Sequence, residues 1–163
     1  MNLIAAVDRN WAIGYQNKLL VSIPADMRFF RDETTNKVVI MGKKTLDTFP
    51  GGQPLKNRVN IVITKKDLKI KDAIVVHSIE EALEAVKDYK PEDIYIIGGA
   101  SIYEQMLPYC TVAHITKIDY AYTADTYISN LDQMEDWILA EETEEHTYYD
   151  LTYTFCRYER KKL

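Results

Sequence analysis

The sequence predicts an α/β fold: a largely parallel sheet flanked by helices, with an antiparallel hairpin at its C-terminal end. Three observations carry this. Short unbroken apolar runs, such as Leu3-Ile4-Ala5-Ala6-Val7, suit strands buried on both faces. Segments with helical periodicity alternate with those runs, the pattern of strands that need crossover helices. Beyond Val112, β-branched and aromatic residues dominate the extended segments, as antiparallel strands require. At 163 residues, a single domain spanning 1–163 is expected.

The elements follow in order. Leu3–Val7 is the first strand. Residues 8–23 show no clear periodicity and hold Gly14, Asn17 and Ser22, so they predict a long loop, and such loops are usually functional lids. Pro24 suits the first turn of a helix running to about Thr35, with Met27 and Phe30 on its inner face. Lys37–Gly42 is the next strand, and Lys43–Thr48 a short helical turn ended by Pro50-Gly51-Gly52. Val59–Thr64 and Ala73–Val76 are two more strands. Ser78-Ile79-Glu80-Glu81 is a capping box that opens a helix facing inward through Ala82, Leu83 and Val86. Ile94–Ile97 is a buried strand. Gly98-Gly99 then leads into a helix with Ile102, Tyr103, Met106 and Leu107 inward, stopped near Pro108. Val112–Asp119 and Tyr149–Tyr158 are extended, and Trp137–Glu141 is expected to pair with the last strand.

Composition excludes several classes. Hydrophobic residues make up 47% of the chain, which argues for a packed core rather than disorder. The net charge of −5 argues against nucleic acid as a partner. Cys110 and Cys156 lack the spacing of a metal site or a disulfide framework, so reduced thiols and no metal are expected. No apolar run reaches the roughly 18 residues of a membrane span. The N-terminus MNLIAAVDRNW has no basic region of a signal peptide. A cytoplasmic protein without a membrane partner is expected.

Three strand ends carry anion-binding chemistry. Gly98-Gly99-Ala100-Ser101 offers close backbone approach and free N–H groups, although it lacks the GxGxxG spacing. Gly42-Lys43-Lys44-Thr45 adds two ammonium groups and a hydroxyl, and Thr64-Lys65-Lys66 adds further cations. Ligands of open α/β sheets gather beyond the carboxyl ends of the strands, so a dinucleotide with several phosphates is the natural occupant. Taken singly, each basic pair is more often an ordinary solvated surface than a phosphate site. Asp26, in the first turn of its helix, is either a complement to the helix dipole or a carboxylate facing a site lined by Phe30. His77, His114 and His146 are scattered. A lone carboxylate suits a reaction in which a cofactor supplies the hard chemistry.

Together these segments resemble the dihydrofolate reductase family. The resemblance rests on Leu3–Val7, Ile23-Pro24-Ala25-Asp26 with Phe29-Phe30, and Val39-Ile40-Met41-Gly42-Lys43-Lys44-Thr45. It continues through Pro54-Leu55, Arg58-Val59-Asn60, Ile97-Gly98-Gly99-Ala100-Ser101-Ile102-Tyr103-Glu104-Gln105, Thr116-Lys117-Ile118-Asp119 and Ala124-Asp125-Thr126. It implies an eight-stranded mixed, mostly parallel sheet with four helices. It also implies NADPH-dependent reduction of 7,8-dihydrofolate, by hydride transfer to C6 and protonation of N5, and binding of antifolate inhibitors by a monomer.

The roles it implies are these. Asp26 takes the amidine edge of the pterin, supported by Thr116. Ile4 and Ile97 offer carbonyls, Met27 and Phe30 wall the ring, and Ala5, Leu55 and Tyr103 complete the substrate surface. Arg58 takes the α-carboxylate of the glutamate tail. Gly42, Lys43, Lys44, Thr45, Thr64, Lys65 and His77 line the adenosine and phosphate half of NADPH. Gly98, Gly99, Ala100, Ser101, Ile102 and Tyr103 hold the pyrophosphate. Ala6, Ile13 and Ile97, with Gly14, Asn17, Lys18 and Leu19 of the lid, frame the nicotinamide. Val21 stands where the family usually has Trp, which predicts a roomier, wetter pterin site. Two other readings share these features: a pyrimidine reductase of riboflavin synthesis on the same fold, and a non-catalytic dinucleotide sensor.

Overall fold

The computed structural model describes residues 1–162. In chain order the strands and helices are β1 (Asn2–Val7), β2 (Ala12–Tyr15), β3 (Lys18–Leu19), α1 (Pro24–Thr34), β4 (Val38–Gly42), α2 (Lys43–Asp47), β5 (Val59–Ile63) and β6 (Ala73–Val76). They continue as α3 (Ile79–Ala85), β7 (Ile94–Gly98), α4 (Ala100–Met106), β8 (Val112–Ile118), β9 (Thr126–Tyr127), β10 (Trp137–Glu142), β11 (His146–Tyr148) and β12 (Leu151–Arg160). Four short 3-10 turns intervene.

The main sheet runs β10-β12-β8-β1-β7-β4-β5-β6, with β11 attached to β12 alone. From β8 to β6 every pairing is parallel, whereas β12 is antiparallel to β8, β10 and β11. This is a mixed, mostly parallel eight-strand path with four α-helices. The parallel strands therefore end together, which brings Ala6, Gly42, Ile63, Val76, Gly98 and Thr116 to one edge.

Alternation along the strands assigns two packed faces. Leu3, Ile40, Ile61 and Ile96 pack with Ala82, Ile102 and Met106 of α3 and α4. Ile4, Val39, Met41, Val62 and Ile97 pack with Phe29 and Phe30 of α1 and Leu46 of α2. Burying each of these aliphatic side chains contributes roughly 1.5–3 kcal/mol, which explains why the central strands read as unbroken apolar runs.

α1 starts at Pro24, whose missing N–H costs nothing in the first turn, and Asp26 complements the dipole there. It ends where Thr35 N–H returns to the Arg31 carbonyl at 2.9 Å and Asn36 takes a left-handed φ of +64°. Met27 does not lie on its inner face: it is 59% exposed, and Phe29, Phe30 and Thr34 take the inward positions.

The lid departs from the expected irregular loop. β2 and β3 form a small hairpin through Gln16 and Asn17, both left-handed, and β2 also pairs with β9. Strands of only four and two residues are too short to show a period. At α3, Ser78 caps the Glu81 N–H at 3.0 Å, but the Glu81 carboxylate turns to the His77 N–H rather than closing the reciprocal bond. The C-terminal hairpin turns through Tyr149, at φ +52°, between β11 and β12, with β10 pairing further along β12. No helix among the described residues is long and apolar enough to cross a membrane.

Candidate active site

Asp26 and Thr116, ninety positions apart in sequence, meet where α1 crosses the ends of β1 and β8. The Thr116 hydroxyl donates to Asp26 Oδ1 at 2.6 Å. Thr116 is buried and Asp26 half-buried. Burial raises the Asp26 pKa above its ordinary 3.8, and the Thr116 hydrogen bond only partly opposes this. Among the described residues, Oδ2 has no hydrogen-bond donor, so the carboxylate keeps one oxygen for a ligand.

Around this pair, Ile4, Ile97, Phe30 and Leu55 share one apolar cluster. The Tyr103 hydroxyl donates to the Ile4 carbonyl at 2.7 Å, so that carbonyl is already engaged. Burial, and then the Asp26 charge, push the Tyr103 hydroxyl pKa upward, keeping it a neutral donor. Ala5 lies on the other face of β1, packed against the α4 side, so only its backbone can reach the Asp26 side. Ala6, by contrast, packs with Ile23 and Ile118 near the start of α1. Val21 packs in that same cluster, with Tyr122, Tyr148 and Leu151 among its members.

Arg58 lies beside α1. Its Nε donates to Thr34 Oγ1 at 3.0 Å, Nη1 to the Lys56 carbonyl at 3.0 Å, and Nη2 to the Arg31 carbonyl at 3.4 Å. The guanidinium carbon sits 6.0 Å from the Phe30 ring centroid. Burial, followed by the like charge of Arg31, lowers its pKa from the ordinary value. No carboxylate among the described residues pairs with it, so a partly desolvated cation stands ready for an anion.

The second group gathers at the carboxyl edge of β4, β5, β6 and β7. A Cβ on Gly98, where φ is +137°, would come within 3.0 Å of Thr45 Oγ1, and one on Gly42 within 3.2 Å of Ile102. Side chains are thus excluded where α2 and α4 begin, and backbone is left bare. The Gly98–Gly99 peptide is cis. Lys44 and Lys65 are exposed and have no carboxylate within 4 Å among the described residues. Lys43 differs, because its ammonium is paired with Asp47. His77 is also engaged, its Nδ1 3.2 Å from Glu81 Oε2. Thr64 follows β5 and is half-buried, Ala100 opens α4 half-buried, and Ser101 is exposed. In the lid, Ile13 is half-buried against the main core and Gly14 is buried, whereas Asn17, Lys18 and Leu19 are exposed.

Two acids have no role in the reading of the sequence, although Asp125 stands in one of the motifs that carry the resemblance. Asp8 is buried, and its carboxylate accepts the backbone N–H groups of Asn10, Ala12 and Tyr122 at 2.8–2.9 Å. Asp125 accepts the Gln16 N–H at 3.0 Å and donates its own N–H to the Gly14 carbonyl at 3.1 Å. Together they tie the lid to the segment between β8 and β9. The Asp-x-Asn spacing of an Asx turn at residues 8–10 is the one local signal that could have found the first of them.

Residues 1–160 match the family model described as dihydrofolate reductase. A dihydrofolate reductase of Enterococcus faecium is 43% identical over 129 residues, 78% of this chain and 76% of that protein. One from Bacillus subtilis (strain 168) is 33% identical over 165 residues, covering 99% of this chain and 95% of its own. Among solved structures, the dihydrofolate reductase from Enterococcus faecalis complexed with NADP(H) and RAB-propyl superposes with a TM-score of 0.87 at 26% identity, covering 99% of this chain and 96% of that one. The chain belongs to the dihydrofolate reductase family.

Proposed function

We propose that this chain reduces 7,8-dihydrofolate to 5,6,7,8-tetrahydrofolate with NADPH, and that Asp26 is its essential carboxylate. The carrying observation is the half-buried Asp26, held on one oxygen by Thr116 and open on the other. The open oxygen and the shared one accept paired N–H bonds from the amidine edge of the pterin, a geometry that strengthens as the ring gains positive character. The carboxylate thereby raises the basicity of the ring without reaching N5, and a water admitted beside the lid delivers the proton there. Phe30, Leu55, Ile4 and Ile97 exclude bulk water from the ring, and Met27, exposed in the free protein, gains cover from the ligand. Arg58 takes a carboxylate of the glutamate tail.

The residues at the strand edge fit the dinucleotide. Bare backbone at Gly42 and Gly98, the Thr45 hydroxyl, and the free ammonium groups of Lys44 and Lys65 suit a chain of phosphates. When bound, the nicotinamide supplies the hydride to C6. The lid, pinned through Asp8 and Asp125, frames that ring and shuts out water. Every group used here belongs to one chain, which suits the monomer that the family resemblance implies, and water-soluble substrates suit the cytoplasm.

The test is loss of absorbance at 340 nm with NADPH and dihydrofolate. Turnover of a ribosylamino-pyrimidine instead, or cofactor binding without any turnover, would replace this reading.

A further inference from the structure

Strand β8 carries two neighbouring side chains that look in opposite directions. Thr116 faces α1 and holds Asp26. Lys117 shares the other face with Ile115 and Ala113, over the main core. There its ammonium lies 5.8 Å from the Trp11 ring centroid and 5.4 Å from that of Tyr158. It donates to Asp132 Oδ2 at 2.8 Å, while the Tyr158 hydroxyl donates to Oδ1 at 2.6 Å. The two rings meet edge to face at 6.0 Å.

Trp11 is where the lid begins. Its φ is +59°, a conformation that bulky side chains rarely hold unless their surroundings impose it. Its N–H donates to the Asp8 carbonyl at 3.0 Å, its carbonyl accepts from Ile128 at 3.0 Å, and Ala12 then opens β2. Trp11 is only 4% exposed, so the packing around its ring, with Tyr158 and Lys117 as two of its walls, acts with these hydrogen bonds to hold the backbone.

We propose that Lys117 is a positioning residue for hydride transfer: by seating Trp11 it fixes the base of the lid, and β8 joins the lid to the pterin anchor through adjacent residues. This rests on the reading that residues 8–23 frame the nicotinamide. The cation is matched to its place: it attracts two ring faces, and Asp132 neutralises it. Burial pushes the Asp132 carboxyl upward, but the bonds from Lys117 and Tyr158 outweigh this and hold it below the ordinary carboxylate range. Without the ammonium, Trp11 loses one wall of its seat, and its strained backbone can relax. The framing geometry is then less populated, and cofactor affinity falls in proportion. Thr116 and Asp26, on the opposite face, keep their contact.

Lys117→Met tests this, since it keeps the length and apolar stem and removes the charge. KM for NADPH should rise about fivefold and the single-turnover hydride rate should fall by a similar factor, for a shift of this size in a two-state population. KM for dihydrofolate should stay within about twofold, as expected for a site on the other face. Lys117→Arg should restore both values, because a guanidinium stacks on rings and pairs with carboxylates. Asp132→Asn should move the same two quantities part of the way, which keeps the idea testable if the methionine variant is unstable. A lower melting temperature with unchanged NADPH KM and hydride rate would overturn the proposal, as would equal losses for both substrates. Wild-type protein without dihydrofolate turnover would instead overturn the functional reading beneath it.

Discussion

Replacing Arg58 by Leu removes a cation whose hydrogen bonds can be counted. A guanidinium has five N–H donors. Three are used within the protein, on Thr34 Oγ1, the Lys56 carbonyl and the Arg31 carbonyl. Five minus three leaves two, one on each terminal nitrogen, which is the fork that grips a carboxylate with both oxygens. Losing one partner of such a desolvated pair costs about 2–4 kcal/mol of binding. At 1.4 kcal/mol per tenfold, dihydrofolate should bind roughly 30- to 700-fold more weakly. The same substitution also frees Thr34 and the end of α1, so some loss could come through the helix that carries Asp26. A dihydropterin lacking the glutamate tail separates the two effects. Dissociation constants from fluorescence quenching should show a large loss for dihydrofolate and almost none for the truncated pterin. Equal losses for both ligands would refute the carboxylate fork and leave Arg58 as a helix support.

Asp26→Asn should lower hydride transfer at pH 7 by at least ~100-fold, with partial recovery in acid, where substrate arrives protonated; stopped-flow rates across pH decide this. The folded-state pKa of Asp26 is raised above 3.8, so its contribution to stability is present below that value and lost as pH rises through the folded pKa. The same variant, free of ligand, should therefore melt higher than wild type at pH 7, and the gain should shrink as pH falls toward 3.8. Lys65→Ala should reduce the preference for NADPH over NADH by about 1–3 kcal/mol, the value of a charge-assisted hydrogen bond, read from the ratio of kcat/KM values. Lys43→Ala should do less, since Asp47 already holds that ammonium. Val21→Trp should cost roughly 1–3 kcal/mol of stability by overpacking a cluster that holds Ile23, Ile118 and Tyr153; an unchanged melting temperature would show room there after all.

Local signals were enough for most of the sheet. β1, β4 and β7 are apolar runs bounded by polar or turn residues, and burial on both faces imposes that composition whatever the strand order, whereas the edge strand β6, with Ile74 exposed, is legible through its β-branched residues alone. Pro24 marked α1 for the equally local reason that its ring is tolerated only in the first turn. The roles of Asp26, Thr116 and Arg58 were legible only through resemblance to a family, because a single carboxylate, hydroxyl or guanidinium has no period. Side-chain direction was less accessible. Met27 fits an inward position by spacing yet is exposed, because the rotation of α1 on the sheet is set by Phe29, Phe30 and Thr34 together. Ala5 sits in a run with no polar partner to reveal its face, and only the pairing of β1 with β7 and β8 turns it away from Asp26. The short lid strands exist because β9 is there to pair with β2, a partner more than a hundred residues away. Hydrophobic pattern is a property of each segment, and chain composition therefore settles which segments are buried. Register, strand order and the meeting of Thr116 with Asp26 depend on which surfaces find each other across long loops, and those choices exist only once the chain has folded.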